Sequence, residues 1–351
     1  MERKAQVAVG LAVVATGLAG TLHHLEANVV LTFTVTASAL ALLAMIVGDA
    51  TEQLGSRLGP GATGILQSAL GNLPELFVCI FALRAGLTEV VKAALIGSVL
   101  GNSLLVFGLA LFLGGLKNGK QVFQSEPPKL IVTLMLLAVA ALMIPTLAKE
   151  LHAPAEAHIG ALSVACSLVL LVVLAASIWF SVKGDPSVAP TVAAEGHAVW
   201  PMSLTVGLLL ASSIGAAFVS DWFVEGLQPA MRVLGVSDTF AGLVVVAIAG
   251  NAIENLVGIQ LAWKNQADYA VSVILNSSLQ VALGLIPALV LLSYVLGGAV
   301  LTLVLQPLLI AALLLTALVT AFVVYDGESI WLEGLALIGL YCIIAAAFWW
   351  G

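Results

Sequence analysis

Two acidic residues lie in the middle of long apolar segments, within short sequences that resemble each other. Glu75 ends the run Gly71-Asn72-Leu73-Pro74-Glu75, and Glu254 ends the run Gly250-Asn251-Ala252-Ile253-Glu254. A carboxylate at the centre of a bilayer costs roughly 3 to more than 10 kcal/mol, so such a residue usually has a function. Two carboxylates in matching contexts predict a duplicated ion site in a membrane transporter.

The duplication extends beyond these two runs. The offset of 179 residues from Gly71 to Gly250 also superimposes Ser98 on Ser277. Each serine follows its glutamate by 23 residues, and a helical hairpin of that length can bring both residues to one depth. The polar residues predicted at this depth are the candidate cation ligands: Glu75, Glu254, Asn72, Asn251, Ser98, Asn102, Ser277, Ser278 and Gln280.

The chemistry of these residues favours Ca²⁺. Carboxylate, amide and hydroxyl oxygens are hard ligands, and Ca²⁺ takes about 6–8 of them, whereas Zn²⁺ or Cu⁺ would call for central His or Cys. Cys79, Cys166 and Cys342 lie inside apolar runs without paired spacing and are interpreted as buried, inert thiols. Oxygen ligands leave the choice between Ca²⁺ and Mn²⁺ open.

Each motif should also interrupt its helix. Gly71, Pro74 and Gly250 all disfavour a continuous helix, and Pro74 cannot donate a backbone hydrogen bond to the carbonyl of Leu70. That carbonyl oxygen is therefore free to face a cation. The second copy has Ile253 in place of the proline, so the two half-sites are not identical.

Charge balance suggests how such a site would work. Two ionised carboxylates are unfavourable in a membrane, and either one Ca²⁺ or two protons would neutralise them. Glu75 and Glu254 are therefore predicted to bind both the metal and the protons, in competition. This competition is a physical basis for antiport.

Composition places these motifs in a polytopic membrane protein. The chain has 351 residues, of which 61% are hydrophobic and 9% charged, and its mean hydropathy is +1.14. These values fit helices in a lipid bilayer, and the net charge of −7 gives no indication of nucleic-acid binding. The predicted intramembrane polar residues contain no nucleophile–base pair, and the sequence contains no nucleotide-binding loop, so an enzyme is not expected. The expected partners are lipid and small inorganic cations, and a homo-oligomer is left open.

About eleven apolar runs are long enough to cross a bilayer. They group into two sets of five after an extra first span, and an odd number of spans per set forces the two copies into opposite orientations. We therefore predict an all-α integral membrane protein with two inverted five-helix repeats and an extra N-terminal helix. The predicted spans are 5–24, 27–47, 63–84, 89–114, 130–148, 158–182, 202–222, 240–262, 267–292, 303–325 and 330–350.

The same pattern divides the chain into regions. We predict an extra N-terminal helix over 1–26, a first repeat over 27–183, a linker over 184–200 and a second repeat over 201–351. Eight Lys and Arg residues on one side against four on the other favour a cytoplasmic N-terminus and an external C-terminus. The expected location is a plasma (inner) membrane.

Two segments approach the motifs from outside the predicted spans. Segments 48–62 and 223–239 are amphipathic; the first contains Asp49, and the second contains Glu225. Glu225 would either line an access path or sit at a solvated helix end. Spans two and seven are rich in small residues, which favours tight helix packing over a role as sliding or gating helices.

The motifs resemble those of a known family. Residues 71–86 and 97–102 look like the first signature repeat of the Ca²⁺/H⁺ antiporters, the cation/proton exchanger branch of the Ca²⁺/cation antiporter superfamily. Residues 250–254, 263–265 and 277–280 resemble the second. The resemblance implies export of Ca²⁺ from the cytoplasm in exchange for H⁺ by alternating access. It also implies central roles for Glu75 and Glu254, site positions at Asn72, Asn251, Ser98, Ser277 and Gln280, and an acidic access residue at Glu52, which we group with Asp49 and Glu225.

Some residues depart from the family pattern. Asn255 follows Glu254 where the family usually has His, and Pro74 stands where Thr is frequent. Na⁺/Ca²⁺ exchange on the same scaffold therefore remains an alternative. A cation channel is a second alternative, which two central carboxylates that need neutralising speak against.

Overall fold

The structure is a computed structural model that describes residues 3–25, 27–58, 70–183 and 200–350. These residues form twelve helices and one two-stranded sheet, and nine of these helices are long and apolar enough to cross a membrane. The helices are α1 Arg3–His24, α2 Val29–Leu58, α3 Leu73–Arg84, α4 Thr88–Asn118, α5 Glu126–Glu150, α6 Ile159–Lys183, α7 Met202–Leu234, α8 Asp238–Gly250, α9 Ala252–Trp263, α10 Ala267–Ser293, α11 Pro307–Val324 and α12 Trp331–Phe348.

The prediction of an all-α membrane fold is confirmed, and the chain is a multi-pass membrane protein. The helices of the two motif spans are interrupted. The predicted span 240–262 is divided into α8 and α9 at Asn251. The span 63–84 is described only from residue 70 onward, and α3 covers its second half. Most of the predicted linker, residues 184–199, lies outside the described residues.

Two predicted spans are too short. The helix predicted over 27–47 continues as α2 to Leu58, and the helix predicted over 202–222 continues as α7 to Leu234. Residues 48–58 and 223–234 are therefore parts of the long helices and not separate approach segments. Their charged residues mark the end of the apolar stretch, but no residue there breaks the helix. α7 ends only at Gly235, whose left-handed backbone closes the last turn with a bond to the carbonyl of Met231.

Helices α2 and α7 form the most extensive helix pair in the described part of the chain and run antiparallel. Near the start of α2, the ring of Phe33 stacks on Phe223 of α7 with centroids 4.9 Å apart. Near the end of α2, Gln53 Oε1 accepts a hydrogen bond of 3.1 Å from the backbone of Trp200, which precedes α7. Corresponding helices of the two sets thus point in opposite directions, as inverted repeats require.

This antiparallel arrangement defines two faces of the molecule. A small sheet, β1 (Gln121–Val122) with β2 (Glu328–Ser329), joins the loop after α4 to the loop before α12. We call the face with this sheet the ribbon face; α2 and α4 end there. The opposite face, where α1, α3 and α7 end, contains a cavity described below, and we call it the cavity face.

The helices that follow the motif helices lie at the centre of the fold. About 78% of the residues in the apolar window of α4 and 72% of those in α10 are buried, against 11% for α1 and 17% for α6. Close backbone contact makes this core compact. An added Cβ on Gly97 of α4 would lie only 2.6 Å from the Cα of Leu243 in α8. Since no side chain fits there, the two helix backbones touch beside the motif residues.

Candidate functional site

The two helix breaks have the same backbone conformation. Asn72, just before α3, has φ −92° and ψ 15°, and Asn251, between α8 and α9, has φ −108° and ψ 17°. This region of backbone space is sparsely populated and recurs at functional sites. Neither asparagine side chain caps the helix that follows. Neither amide is therefore committed to the start of the helix that follows it.

The residues predicted to break the helices lie at these points. Gly71 is in the turn before Asn72, and Pro74 is the second residue of α3, where a missing N–H removes no bond within the helix. Gly250 is the last residue of α8, and an added Cβ there would lie 3.4 Å from the Cβ of Glu75. The break in the second repeat therefore passes directly beside the acidic residue of the first. A role for the Leu70 carbonyl as a cation ligand stays a prediction.

Glu75 is held by groups from both repeats. It is 1% exposed and lies in the first turn of α3, where the helix dipole stabilises a negative charge. The hydroxyl of Ser98 donates a hydrogen bond to Glu75 Oε1. Asn251 Nδ2 in turn donates to Ser98 Oγ at 2.8 Å and to the carbonyl of Ala247 at 3.0 Å. A continuous polar chain thus runs from the break before α9, through α4, to the carboxylate on α3.

A second set of polar contacts joins α4 to α10. Asn102 Nδ2 donates to Ser277 Oγ at 2.9 Å. One residue further along both helices, the hydroxyls of Ser103 and Ser278 lie 2.8 Å apart. All four residues are at most 4% exposed. The structure therefore brings most of the predicted serine and asparagine positions into contacts that connect the two repeats.

Wide turns occur at corresponding places in α4 and α10. Gly101–Val106 and Val281–Leu285 are π-helical, and the offset of 179 residues superimposes them to within one residue. A third such turn, Ala241–Val246, lies in α8. π-Helical turns are rare and are found frequently at functional sites. The turn in α4 contains Asn102, and the turn in α10 begins directly after Gln280.

The remaining predicted ligands are Asn72, Gln280 and Glu254. Asn72 is 7% exposed, and Gln280 is half-buried. Glu254 is the third residue of α9, as Glu75 is the third residue of α3. The side chains of residues 252–255, which include Glu254 and Asn255, lie outside the described part of the structure. The backbone therefore gives the two glutamates equivalent positions, and the contacts of Glu254 stay a prediction.

Glu75 and its partner Ser98 both offer oxygen atoms as ligands. Among the described residues, no three His, Cys, Asp or Glu side chains cluster in a way that could hold a metal. A cation bound in this region would therefore need amide and hydroxyl oxygens as well as carboxylates. That mixture suits a hard cation such as Ca²⁺.

The three predicted access residues lie at opposite ends of the molecule. Asp49 and Glu52 are on the last turns of α2, near the ribbon face, whereas Glu225 is near the end of α7, at the cavity face. Glu52 and Glu225 are exposed, and Asp49 is half-buried. These residues do not form one path.

The cavity on the second face has a volume of about 450 Å³ and lies between the end of α3 and α7. Asp221, Glu225 and Arg84 line it, together with Phe81, which is six residues beyond Glu75 on the same helix. Glu225 also faces His23 of α1, with Oε2 and Nε2 3.4 Å apart. The end of α1 is thus in contact with one wall of the cavity.

Sequence reasoning missed Ser103. A single serine in an apolar helix is usually a packing residue, so its residue type alone gives no indication of a function. Its position directly after Asn102, opposite the equally consecutive Ser277 and Ser278, is a signal that could have found it. The pairing itself depends on how α4 and α10 are rotated.

Comparison with known proteins gives consistent results over nearly the whole chain. The family described as "Sodium/calcium exchanger protein" matches residues 28–183 and 204–350. A Ca²⁺/H⁺ antiporter of Aphanothece halophytica is 34% identical, covering 93% of this chain and 92% of that protein. A Ca²⁺/H⁺ antiporter of Synechocystis sp. is 36% identical, with 88% of each chain covered. The solved structure of native YfkE superimposes with a TM-score of 0.84 at 31% identity, covering 97% of this chain and 99% of that one.

Proposed function

The chain belongs to the sodium/calcium exchanger protein family, and on that premise we propose that it is a secondary antiporter that exports Ca²⁺ from the cytoplasm in exchange for H⁺. Two curated relatives that match most of its length are named Ca²⁺/H⁺ antiporters. We propose the plasma (inner) membrane as its location, with a cytoplasmic N-terminus. In this orientation the ribbon face is cytoplasmic and the cavity face external.

One observation carries the proposal. The buried carboxylate of Glu75 is bonded to Ser98, which accepts from Asn251 of the opposite repeat. Glu254 occupies the equivalent helix position beside that same break. A buried carboxylate whose chain of hydrogen bonds reaches the opposite repeat, in the interior of a membrane protein, is expected at a transport site near the midplane.

The two carboxylates allow this site to bind either one Ca²⁺ ion or two protons. A Ca²⁺ ion bound between Glu75 and Glu254 would have its two charges matched by them. Two protons would neutralise the same carboxylates and remove the attraction for the cation. With either Ca²⁺ or two protons bound, the protein can change between conformations that open the site to one side of the membrane or the other. The empty site carries two negative charges, and the cost of burying them disfavours this change. Exchange follows because the loads exclude each other.

The remaining oxygen ligands are proposed from the same geometry. Asn72, Asn251, Ser98, Asn102, Ser277 and Gln280 carry amide or hydroxyl oxygens close to the breaks or to the wide turns. Ser278 is treated separately below, because its hydroxyl faces Ser103. Together with the two carboxylates, these residues can supply the 6–8 oxygens that Ca²⁺ takes.

Access from the two sides would use different acidic residues. Asp49 and Glu52 near the ribbon face would attract cations from the cytoplasm. Glu225, which lines the cavity together with Asp221, would do so on the external face. The placement of these acids at opposite ends supports alternating access, in which only one end is connected to the site at a time.

The test is Ca²⁺ uptake into proteoliposomes under an imposed pH gradient, followed by the same measurement under a Na⁺ gradient. We expect uptake to follow the proton gradient and to fall at least about 100-fold in Glu75→Gln and Glu254→Gln, because removing one charge of a buried arrangement costs several kcal/mol. Glu89→Gln is the matched control, since Glu89 also lies in the first turn of a helix but is half-exposed and paired with Lys92. It should retain full uptake.

The other outcomes distinguish the alternatives. Uptake that follows only the Na⁺ gradient would assign the protein to Na⁺/Ca²⁺ exchange. Flux that needs no counter-ion would indicate a channel. Undiminished exchange in both glutamine variants would overturn the two-carboxylate mechanism.

A further inference from the structure

The pair formed by Ser103 and Ser278 differs from buried serines such as Ser167 and Ser212. Neither residue is exposed, and the two hydroxyl oxygens lie 2.8 Å apart. By contrast, the hydroxyls of Ser167 and Ser212 donate to a backbone carbonyl one turn earlier in their own helices. Such local bonds are the usual way that a membrane helix satisfies a serine. The hydroxyls of Ser103 and Ser278 connect two helices instead.

The pair lies next to the candidate cation site in both sequence and space. Asn102 donates a hydrogen bond of 2.9 Å to Ser277. Ser103 directly follows Asn102, and Ser278 directly follows Ser277. The two contacts are therefore consecutive connections between α4 and α10. A single hydrogen bond would allow α10 to rotate about that point, whereas two neighbouring bonds fix its rotation and its position along α4.

The wide turn of α4 explains how its consecutive residues Asn102 and Ser103 can both face α10. An i→i+5 turn holds more residues than an α-helical turn, so the angle between successive side chains is smaller. Asn102 and Ser103 lie within such a turn of α4. In α10, the backbone N–H of Val281 bonds the carbonyls of both Ser277 and Ser278 at the start of the wide turn. A displacement of Ser278 would therefore be transmitted to Ser277.

A third group holds Ser103 on its other side. The Ser103 hydroxyl also lies 3.9 Å from the sulfur of Met135 in α5. When Ser103 donates to this sulfur, its oxygen accepts from Ser278. The serine is thereby held between α5 and α10.

We infer that Ser103 and Ser278 are a positioning pair that sets the spacing of the oxygen ligands across the two repeats, and thereby the selectivity of the site for Ca²⁺. This inference rests on the proposed function. Ser277 belongs to one repeat, and Ser98 and Glu75 to the other, so the fit of a cation depends on how firmly α4 and α10 are held. Ca²⁺ binds oxygens at 2.3–2.6 Å, and Mg²⁺ requires 2.0–2.1 Å. A site of fixed spacing rejects the smaller ion, and a loosened site discriminates less.

The experiment compares Ser103→Ala and Ser278→Ala with Ser167→Ala, which removes an equally buried serine that bonds only its own helix. The first measurement is the KM and the maximal rate of Ca²⁺ uptake into proteoliposomes, with Mg²⁺ as the competitor. We expect a KM for Ca²⁺ raised about 2- to 10-fold and a Ca²⁺/Mg²⁺ preference lowered by a similar factor, the range that one buried hydrogen bond supports. The maximal rate should change little, and Ser167→Ala should match the unmodified protein.

A second measurement does not depend on transport. Ca²⁺ and Mg²⁺ should each raise the Tm of the purified protein in detergent according to their affinity, and the difference between the two shifts should shrink in Ser103→Ala and Ser278→Ala. The two variants remove the same bond from opposite helices, so either one suffices if the other does not fold. An unchanged Ca²⁺/Mg²⁺ preference in a folded variant overturns the inference while the proposed function stands. A lack of Ca²⁺ exchange and of Ca²⁺ stabilisation in the unmodified protein overturns both.

Discussion

The two halves of the candidate site share a backbone conformation, but the described partners of their equivalent serines, Ser98 and Ser277, differ. Asn72 and Asn251 break their helices in nearly the same conformation, and α4 and α10 widen at equivalent turns. The side-chain pairing differs. Ser98 accepts a hydrogen bond from the break residue Asn251, whereas its counterpart Ser277 accepts from Asn102.

The difference follows from single substitutions between the repeats. The offset that superimposes Ser98 on Ser277 places Asn102 on Val281, which has no polar side chain. Only the first repeat therefore sends an amide from its wide turn to the other repeat. The two repeats share the breaks and the backbone positions of the carboxylates, whereas the residues at 102 and 281 differ. The comparison predicts which equivalent substitutions should have equal effects and which should not.

The largest effect is expected where the halves are alike. Glu75→Gln and Glu254→Gln should each reduce Ca²⁺ exchange at least about 100-fold, because each removes one of the two charges that balance the cation. The measurement is initial uptake at saturating Ca²⁺. A variant that retains more than about a tenth of the rate would show that the two carboxylates are not equivalent.

The next effect concerns the core contact of α4 with α8. Gly97 has no room for a side chain, whereas the equivalent residue of the second repeat, Asn276, is half-buried. Gly97→Asn should lower the free energy of unfolding by about 1–3 kcal/mol or more, since overpacking displaces two helix backbones. Asn276→Gly should cost about 1 kcal/mol, the penalty of a glycine within a helix. Thermal unfolding in detergent measures both, and equal losses would contradict the asymmetry.

A smaller effect is expected for the two break residues. Asn251→Ala removes hydrogen bonds to Ser98 and to Ala247 and should raise the KM for Ca²⁺ about 10-fold. Asn72 makes neither of the hydrogen bonds described for Asn251, so Asn72→Ala should raise the KM less, by about 3-fold or below. Concentration dependence of uptake gives both values. If Asn72→Ala is the more damaging variant, the unequal pairing described above does not govern affinity.

The smallest effect on Ca²⁺ uptake is expected when Pro74 and Ile253, the residues directly before the two glutamates, are each replaced by the residue of the other repeat. Pro74 is the second residue of α3, and Ile253 is the second residue of α9. At this position a backbone N–H has no partner within its helix, so a proline without an N–H loses no bond. Pro74→Ile and Ile253→Pro should therefore each change the uptake rate by no more than about 2-fold. A large loss in Pro74→Ile alone would support the prediction that the carbonyl of Leu70 serves as a ligand.

Much of the fold could be predicted from local features. Apolar runs of bilayer length gave the membrane helices, and the matching motifs indicated two sets of five. Hydropathy failed at the ends of α2 and α7, because charged residues such as Asp49 and Glu225 end an apolar run without ending a helix. It also failed to show the interruption at Asn251, where an apolar run continues through a helix break.

The amino-acid sequence by itself determined the polar residues of the site and their shared depth, since residue type and spacing along a helix fix both. Only the tertiary structure decided which of these residues meet. Ser98 with Asn251, Asn102 with Ser277 and Ser103 with Ser278 are separated by 153, 175 and 175 positions. Their contacts depend on the rotation of α4 and α10, which the wide turns alter, and on the backbone approach at Gly97. Helical periodicity predicts neither the rotation of these helices nor the backbone approach, because both arise only when the two repeats pack against each other.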